Sequence, residues 1–339
     1  MSYQKFLNLF REKNRLNASV ILVFIALVIV LSLSRGSVEI SSHEIIKAFL
    51  REGDLTNQII FWELRLPRLI ASLLVGSALG MSGALLQGML RNGLASPYLL
   101  GISAGSGLVI VLLISMGLWL SWIPIAAWIG AIITTLIVYL LAKSGTSISV
   151  ERLILAGVAL SSLFGSIQSM LLLQTEDGRV QAALTWLIGS LNSRGWTEIK
   201  LAGPPIIFAL VVGLLLSRQL NLLGLGDELS VGLGNSLLRS RCLIGASATL
   251  LAASSVSVGG LIGFVGLIVP HAVRFLFGTD YKVVLPFSAL LGALTLSSAD
   301  LIARSGAIEL PVGIITSLLG APIFIVLLYK RQKSLTSLR

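Results

Sequence analysis

The chain has 339 residues, of which 55% are hydrophobic and only 12% are charged, and its mean hydropathy is +0.94. Soluble domains average about 25% charged residues. This composition therefore excludes a soluble enzyme and predicts an all-α, polytopic membrane protein whose apolar runs each cross a bilayer. The net charge of +10 does not indicate a nucleic-acid partner, because basic residues also mark the cytoplasmic loops of membrane proteins.

About ten spans of roughly 20 residues are predicted, and they leave no room for a separate catalytic domain, so residues 1–339 should form one transmembrane domain. The basic segment 1–17 has no convincing cleavage site after it, so the first span is interpreted as a retained helix. Two short amphipathic pieces are expected at 42–50 and 182–191. The predicted spans are 18–35, 67–89, 98–117, 123–142, 152–174, 203–218, 240–257, 259–276, 283–303 and 311–329.

The distribution of basic residues predicts the orientation. Ten spans place both termini on one side, and most of the 25 Lys and Arg residues fall in the connections on that side. The positive-inside rule then predicts a cytoplasmic N-terminus and a cytoplasmic tail at 330–339. Spans one to five and six to ten run in opposite senses, which permits an inverted repeat of the kind found in transporters.

A polar, glycine-rich stretch interrupts the apolar spans at 221–239, with the sequence NLLGLGDELSVGLGNSLLR. It carries Asp227 and Glu228, and in lipid its unpaired backbone groups would cost several kcal/mol each. The stretch should therefore lie outside the bilayer, on the cytoplasmic side. Its compact, amphipathic character suits docking onto a second protein.

Small residues recur on one face of the second span. Gly76, Gly80 and Gly83 are separated by four and three positions, which favours close helix packing over a direct gating role. Gln87, in the same span, is interpreted either as an interhelical hydrogen-bonding residue or as a polar residue of a pathway.

Charged residues gather near the predicted outer ends of two spans. Arg65 and Arg68 flank Pro67 at the start of the second span, where they could anchor in lipid headgroups or serve a function. Asp300 and Arg304 are four positions apart on the ninth span, and this spacing predicts an ion pair on one helix face. Glu309 follows in the next connection.

The residues needed for a metal site or for covalent chemistry are missing from the sequence. His43 and His271 are predicted on opposite sides of the membrane, and Cys242 is the only cysteine. No metal site is expected, because no Cys, Asp or Glu is suitably spaced around either histidine. The phosphate-binding pattern G-x-x-x-x-G-K-[ST] is absent as well, so the chain cannot use ATP itself.

Six blocks, in this order, resemble the FecCD family of ABC-importer permeases, which carry ferric siderophores, haem and vitamin B12. The resemblance covers about 64–330 and implies a type II ABC importer permease bundle in a bacterial cytoplasmic membrane. It also implies partners: a second permease subunit, two ATP-binding subunits that use ATP and Mg²⁺, and an extracytoplasmic substrate-binding protein. The blocks are LRLPR, SGALLQ, RNGLASPYLLGISAG, GFVGLIVPHAVR, DLIAR and ELPVGIITSLLGAPIF.

The resemblance assigns roles to residues. It implies that short helices within 222–238 insert into a groove of the ATPase subunit, and that Arg65, Arg68 and Arg304 grip acidic residues of the binding protein. Ser230 stands where the family has alanine, and Gly93 where it has proline. The positions that match the family's coupling pattern, with Leu229 and Ser230 between its fixed residues, are Gly226, Asp227, Glu228, Leu229, Ser230, Leu233 and Gly234.

The leading interpretation is an ABC importer permease that carries an iron–siderophore complex, with vitamin B12 or haem as the alternative cargo. Its pore is expected to be lined by Met81, Leu85 and Gln87, and by the third and eighth spans. An ion-coupled secondary transporter is the runner-up, but it would need ionisable groups near the bilayer midplane, and the carboxylates cluster at span ends and in loops. An intramembrane enzyme would need a catalytic constellation such as Ser/His/Asp, and none is present.

Overall fold

A computed structural model describes residues 3–36, 38, 40–97, 101–118, 122–144, 147–306 and 308–336. A π-helical segment, Ile60–Arg65, joins α3 to α4, and the two-residue strands Lys143–Ser144 and Ser147–Ile148 form a short antiparallel ladder. The helices are α1 (Tyr3–Ser34), α2 (Ser42–Phe49), α3 (Leu55–Ile59), α4 (Leu66–Met89), α5 (Ile102–Ser115), α6 (Ile123–Ala142), α7 (Val150–Leu173), α8 (Asp177–Ile188), α9 (Trp196–Leu215), α10 (Ser217–Gly224), α11 (Asp227–Gly232), α12 (Leu237–Gly259), α13 (Val265–Phe277), α14 (Tyr281–Ala303) and α15 (Val312–Thr336).

The all-α membrane fold predicted from composition is confirmed. Seven helices in the described residues are long and apolar enough to cross a membrane: α1, the continuous run 55–89 that contains α4, and α6, α7, α9, α12 and α14. Three shorter apolar helices lie at Ile102–Ser115, Val265–Phe277 and Val312–Val326. The ten predicted spans fall on these two sets of helices.

Most predicted boundaries agree with the structure to within a few residues. The prediction 123–142 coincides with α6. Helix α1 continues from the first span back to Tyr3, so the basic segment predicted as the cytoplasmic N-terminus is helical from there on. Helix α15 likewise continues into the predicted tail as far as Thr336. Residues 1–2 and 337–339 of these predicted termini, and residues 98–100 of the third span, lie outside the described residues.

The predicted start of the eighth span, 259–276, was wrong. Gly260 has a φ of +71° and Phe264 a φ of +65°, so the backbone leaves the helix after Gly259 and α13 begins only at Val265. The non-helical segment 260–264 is held by backbone bonds, including one from Leu261 N to the carbonyl oxygen of Trp186 on α8, at 3.2 Å. Part of its backbone is thus paired within the protein, as a membrane-embedded break requires.

The two predicted amphipathic pieces are both helical. Helix α2 begins with a capping box, in which the Ser41 side chain accepts the Glu44 backbone N–H and the Glu44 carboxylate accepts the Ser41 N–H. This arrangement satisfies two otherwise unpaired backbone donors. Helix α8 spans Asp177–Ile188, so it begins five residues before the prediction.

Helix α4 lies at the centre of the bundle, in close contact with α14. A Cβ atom built at Gly76 or Gly80 would overlap carbonyl oxygens of Gly292 and Ser288 on α14, and one at Gly83 would overlap the carbonyl oxygen of Gly266 on α13. The packing role predicted for these glycines is therefore confirmed. Small residues allow such backbone contact where lipid supplies no hydrophobic drive between helices.

Candidate functional site

The polar interruption at 221–239 contains α11 and the second half of α10, which begins earlier than expected, at Ser217. The two helices form a pair at one end of the bundle, which we call the helix-pair end. Its first member is fixed to α14. The Asn221 side chain donates to Asp280 Oδ1 at 2.7 Å and accepts the Tyr281 backbone N–H at 3.0 Å. Asp280 is the N-cap of α14, so α10 and the start of α14 share one hydrogen-bonded unit.

The second member, α11, is fixed by an ion-pair cluster. Asp227 Oδ1 lies 3.1 Å from Arg91 Nη2, and Asp227 Oδ2 lies 2.9 Å from Arg241 Nη2. Arg91 is in the turn after α4, and Arg241 is in the first turns of α12, where its side chain is only 6% exposed. The Asp227 carboxylate therefore faces the chain's own transmembrane helices.

Hydrogen bonds fix the turn that follows α11. Ser230 is fully buried, and its hydroxyl accepts the Asn235 side-chain amide at 2.8 Å. Asn235 Oδ1 accepts the Ser240 hydroxyl of α12 at 2.6 Å. Gly226 and Gly234 have φ values of +107° and +80°, which favour glycine. These glycines begin and end α11, so that the helix folds back onto α12.

Four apolar side chains of the helix pair remain exposed, and Glu228 is exposed among them. Together the four form what we call the helix-pair surface. An apolar patch rimmed by polar residues is typical of a protein-interaction site. The members of the surface, with their exposed fractions, are Leu225 (55%), Leu229 (62%), Val231 (54%) and Leu233 (58%).

At the opposite end, which we call the arginine end, Arg65 is buried against the end of α1. Its guanidinium donates to the carbonyl oxygens of Leu33 at 2.6 Å, Ser34 at 2.9 Å and Val38, and only 5% of the residue is exposed. These bonds satisfy carbonyls that the end of a helix leaves unpaired. In this structure Arg65 therefore caps α1 and presents almost no surface.

Arg68 and Arg304 converge on one buried carboxylate. Asp300, 1% exposed, accepts hydrogen bonds from two Arg68 nitrogens, with Nη2–Oδ1 at 2.7 Å and Nε–Oδ2 at 3.0 Å. Arg304 Nε lies 3.5 Å from Asp300 Oδ2, which confirms the predicted i,i+4 pair. Arg68 also pairs with Glu309 at 2.6 Å, and Glu309 is the most exposed of the four side chains, at 35%.

The residues predicted to line a pore are packed inside the bundle of a single chain. Met81 and Leu85 are 1% and 0% exposed and face Gly213 on α9. Gln87 is 3% exposed, donates to the Leu267 carbonyl oxygen at 3.1 Å and accepts a bond from Arg274. The interhelical role considered for Gln87 is thus observed, and none of the three reaches a surface where a second copy could pack.

Two other features bear on the predicted pore lining: a cavity that includes Ser103 and Leu261 of the predicted third and eighth spans, and a polar helix face that the sequence reasoning missed. A cavity of about 810 Å³ is lined by the broken segment and by α15, through Leu261, Phe264 and Leu318 among others. Helix α7 exposes the hydroxyl residues Ser162, Ser166 and Ser169. Their spacing of four and three positions on a hydrophobic span could have indicated a polar helix face.

Within the residues that the structure describes, no group of three or more His, Cys, Asp or Glu side chains could hold a metal ion. The charged clusters at the two ends pair carboxylates with arginines. These ion pairs join neighbouring helices at both ends of the bundle.

An all-helical membrane bundle with an anchored helix pair and an exposed apolar surface at one end agrees with the permease subunit of an ABC importer. The chain belongs to the FecCD transport family, whose description matches residues 23–330. The predicted resemblance is therefore confirmed over almost the whole chain.

Curated relatives and a solved structure agree with this assignment. The chain is 39% identical over 323 residues to the Fe(3+)-citrate import system permease protein YfmE of Bacillus subtilis (strain 168), covering 94% of this chain and 96% of that protein. It is 40% identical over 279 residues to the cobalamin import system permease protein BtuC of Halobacterium salinarum, covering 82% and 75%. A structure described as an inward-facing conformation and assigned to the metal-chelate type of ABC transporter matches with a TM-score of 0.83 and 32% identity, covering 91% and 97%.

Proposed function

We propose that this chain is the membrane subunit of an importer that moves an iron–siderophore complex inward across the bacterial cytoplasmic membrane, driven by ATP hydrolysis in separate subunits. The observation that carries the proposal is the helix-pair surface, which exposes apolar side chains although the pair itself is held rigidly to α4, α12 and α14. A rigid mount with a free apolar surface suits the transfer of motion from an attached ATPase.

In the proposed assembly this chain pairs with a second permease subunit, either a copy of itself or a close paralogue. Two ATP-binding subunits engage the helix-pair ends, which face the cytoplasm together with both termini. An extracytoplasmic binding protein docks at the arginine ends, and lipid surrounds the bundle. The pathway runs between the permease subunits, with the hydroxyl face of α7 suited to a polar cargo. Closure of the ATPases then rocks the two bundles and alternates access.

Docking at the arginine end is proposed to proceed by exchange of ion pairs. Arg68 and Arg304 are almost buried and already paired, so they cannot simply attract a partner as free charges. Glu309 is the accessible member, and it occupies Arg68 Nη1. An acidic side chain of the binding protein would replace Glu309 on Arg68, which would preserve the charge balance around Asp300 and give the contact a defined geometry.

The relatives' names include Fe(3+)-citrate and cobalamin systems. Membership of the family therefore does not by itself identify the cargo. We favour a ferric siderophore, with vitamin B12 or haem as the alternative. An ion-coupled transporter is the competing function, although the most buried carboxylate, Asp300, is already paired with two arginines near the end of α14.

Reconstitution tests the proposed function. Proteoliposomes holding the permease with its ATPase and binding protein are loaded with ATP, and uptake of ferric siderophore, cobalamin and haem is compared. We expect uptake of the siderophore only with ATP and an active ATPase. Uptake that persists with an inactivated ATPase, on an ion gradient alone, would overturn the proposal, and preferential uptake of cobalamin or haem would reassign the cargo.

A further inference from the structure

The Asp227 carboxylate lies in the part of the chain expected to touch the ATPase, yet it is paired with Arg91 and Arg241 of the same chain. We propose that Asp227, Arg91 and Arg241 form a mechanical joint, the Asp227 joint, which transmits movement of α11 into α4 and α12. This inference rests on the proposed function, because the movement originates in the ATPase. It makes Asp227 and the two arginines positioning residues, whereas Leu229 and Leu233 supply the contact.

Arg91 has a backbone conformation that is unusual for a residue with a side chain. After α4 ends, Arg91 N bonds to the Gly88 carbonyl oxygen at 3.3 Å, and Asn92 N bonds to the Gln87 carbonyl oxygen at 3.1 Å. This pattern is a Schellman motif, whose left-handed residue is usually glycine. Arg91 occupies that position with a φ of +48°, a conformation that disfavours side chains. The ion pair with Asp227 gives a reason for arginine there.

Arg241 connects the joint to the pathway. Its buried guanidinium makes two contacts with the Asp227 carboxylate, at 3.0 and 2.9 Å, so loss of that carboxylate would leave a poorly solvated charge. From Arg241 the helix α12 continues without a break to Gly259, a rise of about 27 Å. The segment 260–264 follows directly and lines the 810 Å³ cavity.

This geometry predicts that attachment and coupling can be separated. A displacement of α11 moves Arg241, and α12 carries the displacement as a rigid rod to the cavity wall. Arg91 delivers the same displacement to α4, the central helix. If the joint is broken, the apolar surface of α11 can still bind an ATPase, but α11 then moves without moving the transmembrane helices.

The test compares Asp227→Asn, Arg91→Gln and Asp227→Glu in the complete transporter, with Arg239→Gln as the matched control. Arg239 is an exposed arginine two residues before Arg241. The readouts are ATPase co-purification, the ratio of cargo transported to ATP hydrolysed, and amide hydrogen exchange of 227–234 in the permease alone. We expect Asp227→Asn and Arg91→Gln to lower the transport ratio and to speed exchange by about tenfold each, with co-purification preserved.

Asp227→Glu restores the charge and should recover most of the transport ratio, and Arg239→Gln should match the unaltered protein. The proposed joint would be refuted if both Asp227→Asn and Arg91→Gln left the transport ratio and the amide exchange unchanged. It would also be refuted if ATPase binding fell in parallel with transport. If one variant is too unstable to purify, the other still decides, since Arg91 is 42% exposed. Failure of the unaltered protein to couple transport to ATP would instead count against the proposed function.

Discussion

Arg68 and Asp300 form a two-bonded ion pair at the arginine end, although 232 positions separate them in the sequence. The pair joins the start of α4 to the last turn of α14, the same two helices that pack through Gly76 and Gly80. This close contact between α4 and α14 is therefore joined by a buried salt bridge at one end.

Breaking this pair should destabilise the folded chain. Arg68→Gln leaves Asp300 buried with only the more distant Arg304, and uncompensated buried charges cost about 3–5 kcal/mol. Thermal unfolding of purified protein in detergent measures the loss, with Arg35→Gln, an exposed arginine at the same end, as the control. Equal unfolding midpoints for the two variants would show that the pair contributes nothing to stability.

The close approach of α4 and α14 should make Gly80 intolerant of any side chain. A methyl group there would overlap the Ser288 carbonyl oxygen, and overpacking costs typically 1–3 kcal/mol. We expect Gly80→Ala to lower the unfolding midpoint, whereas Gly165→Ala should leave it unchanged or raise it, because nothing lies within 4 Å of a Cβ at Gly165. A tolerated Gly80→Ala would contradict the contact.

The helix-pair surface should bind the ATPase through its apolar side chains. Leu229→Asp places a charge in the centre of an exposed apolar patch, and truncation of such central residues costs at least about 2 kcal/mol in many interfaces. Co-purification of the ATPase should fall sharply while the permease remains folded. Arg218→Gln, a change at an exposed position on α10, serves as the control. Full recovery of the ATPase with Leu229→Asp would show that the helix-pair surface is not part of the interface.

Exchange of ion pairs at Arg68 predicts that removal of one charge increases the affinity for the binding protein. Glu309→Gln removes the internal competitor for Arg68 and should tighten binding-protein docking roughly threefold to tenfold at low salt. Glu52→Gln removes the same charge from an exposed position at the same end and should change affinity little. If the two variants gain equally, the effect is long-range electrostatics and direct exchange is excluded.

Acid should loosen α10 only at low pH. The pKa of Asp280 lies below its ordinary range because its carboxylate accepts the Lys282 backbone N–H and the Asn221 amide. A lowered pKa means that the attachment is complete above the unfolded-state value, about 3.9, and is lost as pH falls through the lower folded-state value. A probe on α10 should therefore report no change between pH 8 and 5, and earlier loosening would contradict the assigned bonds.

The sequence predicted the features that depend on local pattern. Helix α6 and the Asp300–Arg304 pair follow from an apolar run and from i,i+4 spacing. Gly260 and Gly263 interrupt the apolar pattern of the eighth span, but the bounds of the break at 260–264 were missed, because the left-handed conformation of Phe264 depends on tertiary packing.

The directions of charged side chains could not be predicted, since they depend on partners far along the chain. Asp227 matches the coupling pattern in the sequence, and the structure adds that it pairs with Arg91 and Arg241 of the same chain. Arg65 was expected to face a binding protein, but the carbonyl groups at the end of α1 draw it inside. Their docking roles in an assembled transporter remain predictions.

The pairing of α4 with α14 has a consequence for how the protein is made. Arg68 enters the membrane region early in synthesis, and Asp300 emerges 232 residues later, which takes about 10 to 50 s at ribosomal elongation rates. Throughout that interval the nascent chain holds an unmatched cation and a glycine-lined groove with no occupant. The contact between α4 and α14 can therefore form only after the ninth span has been synthesised, late in the assembly of the bundle.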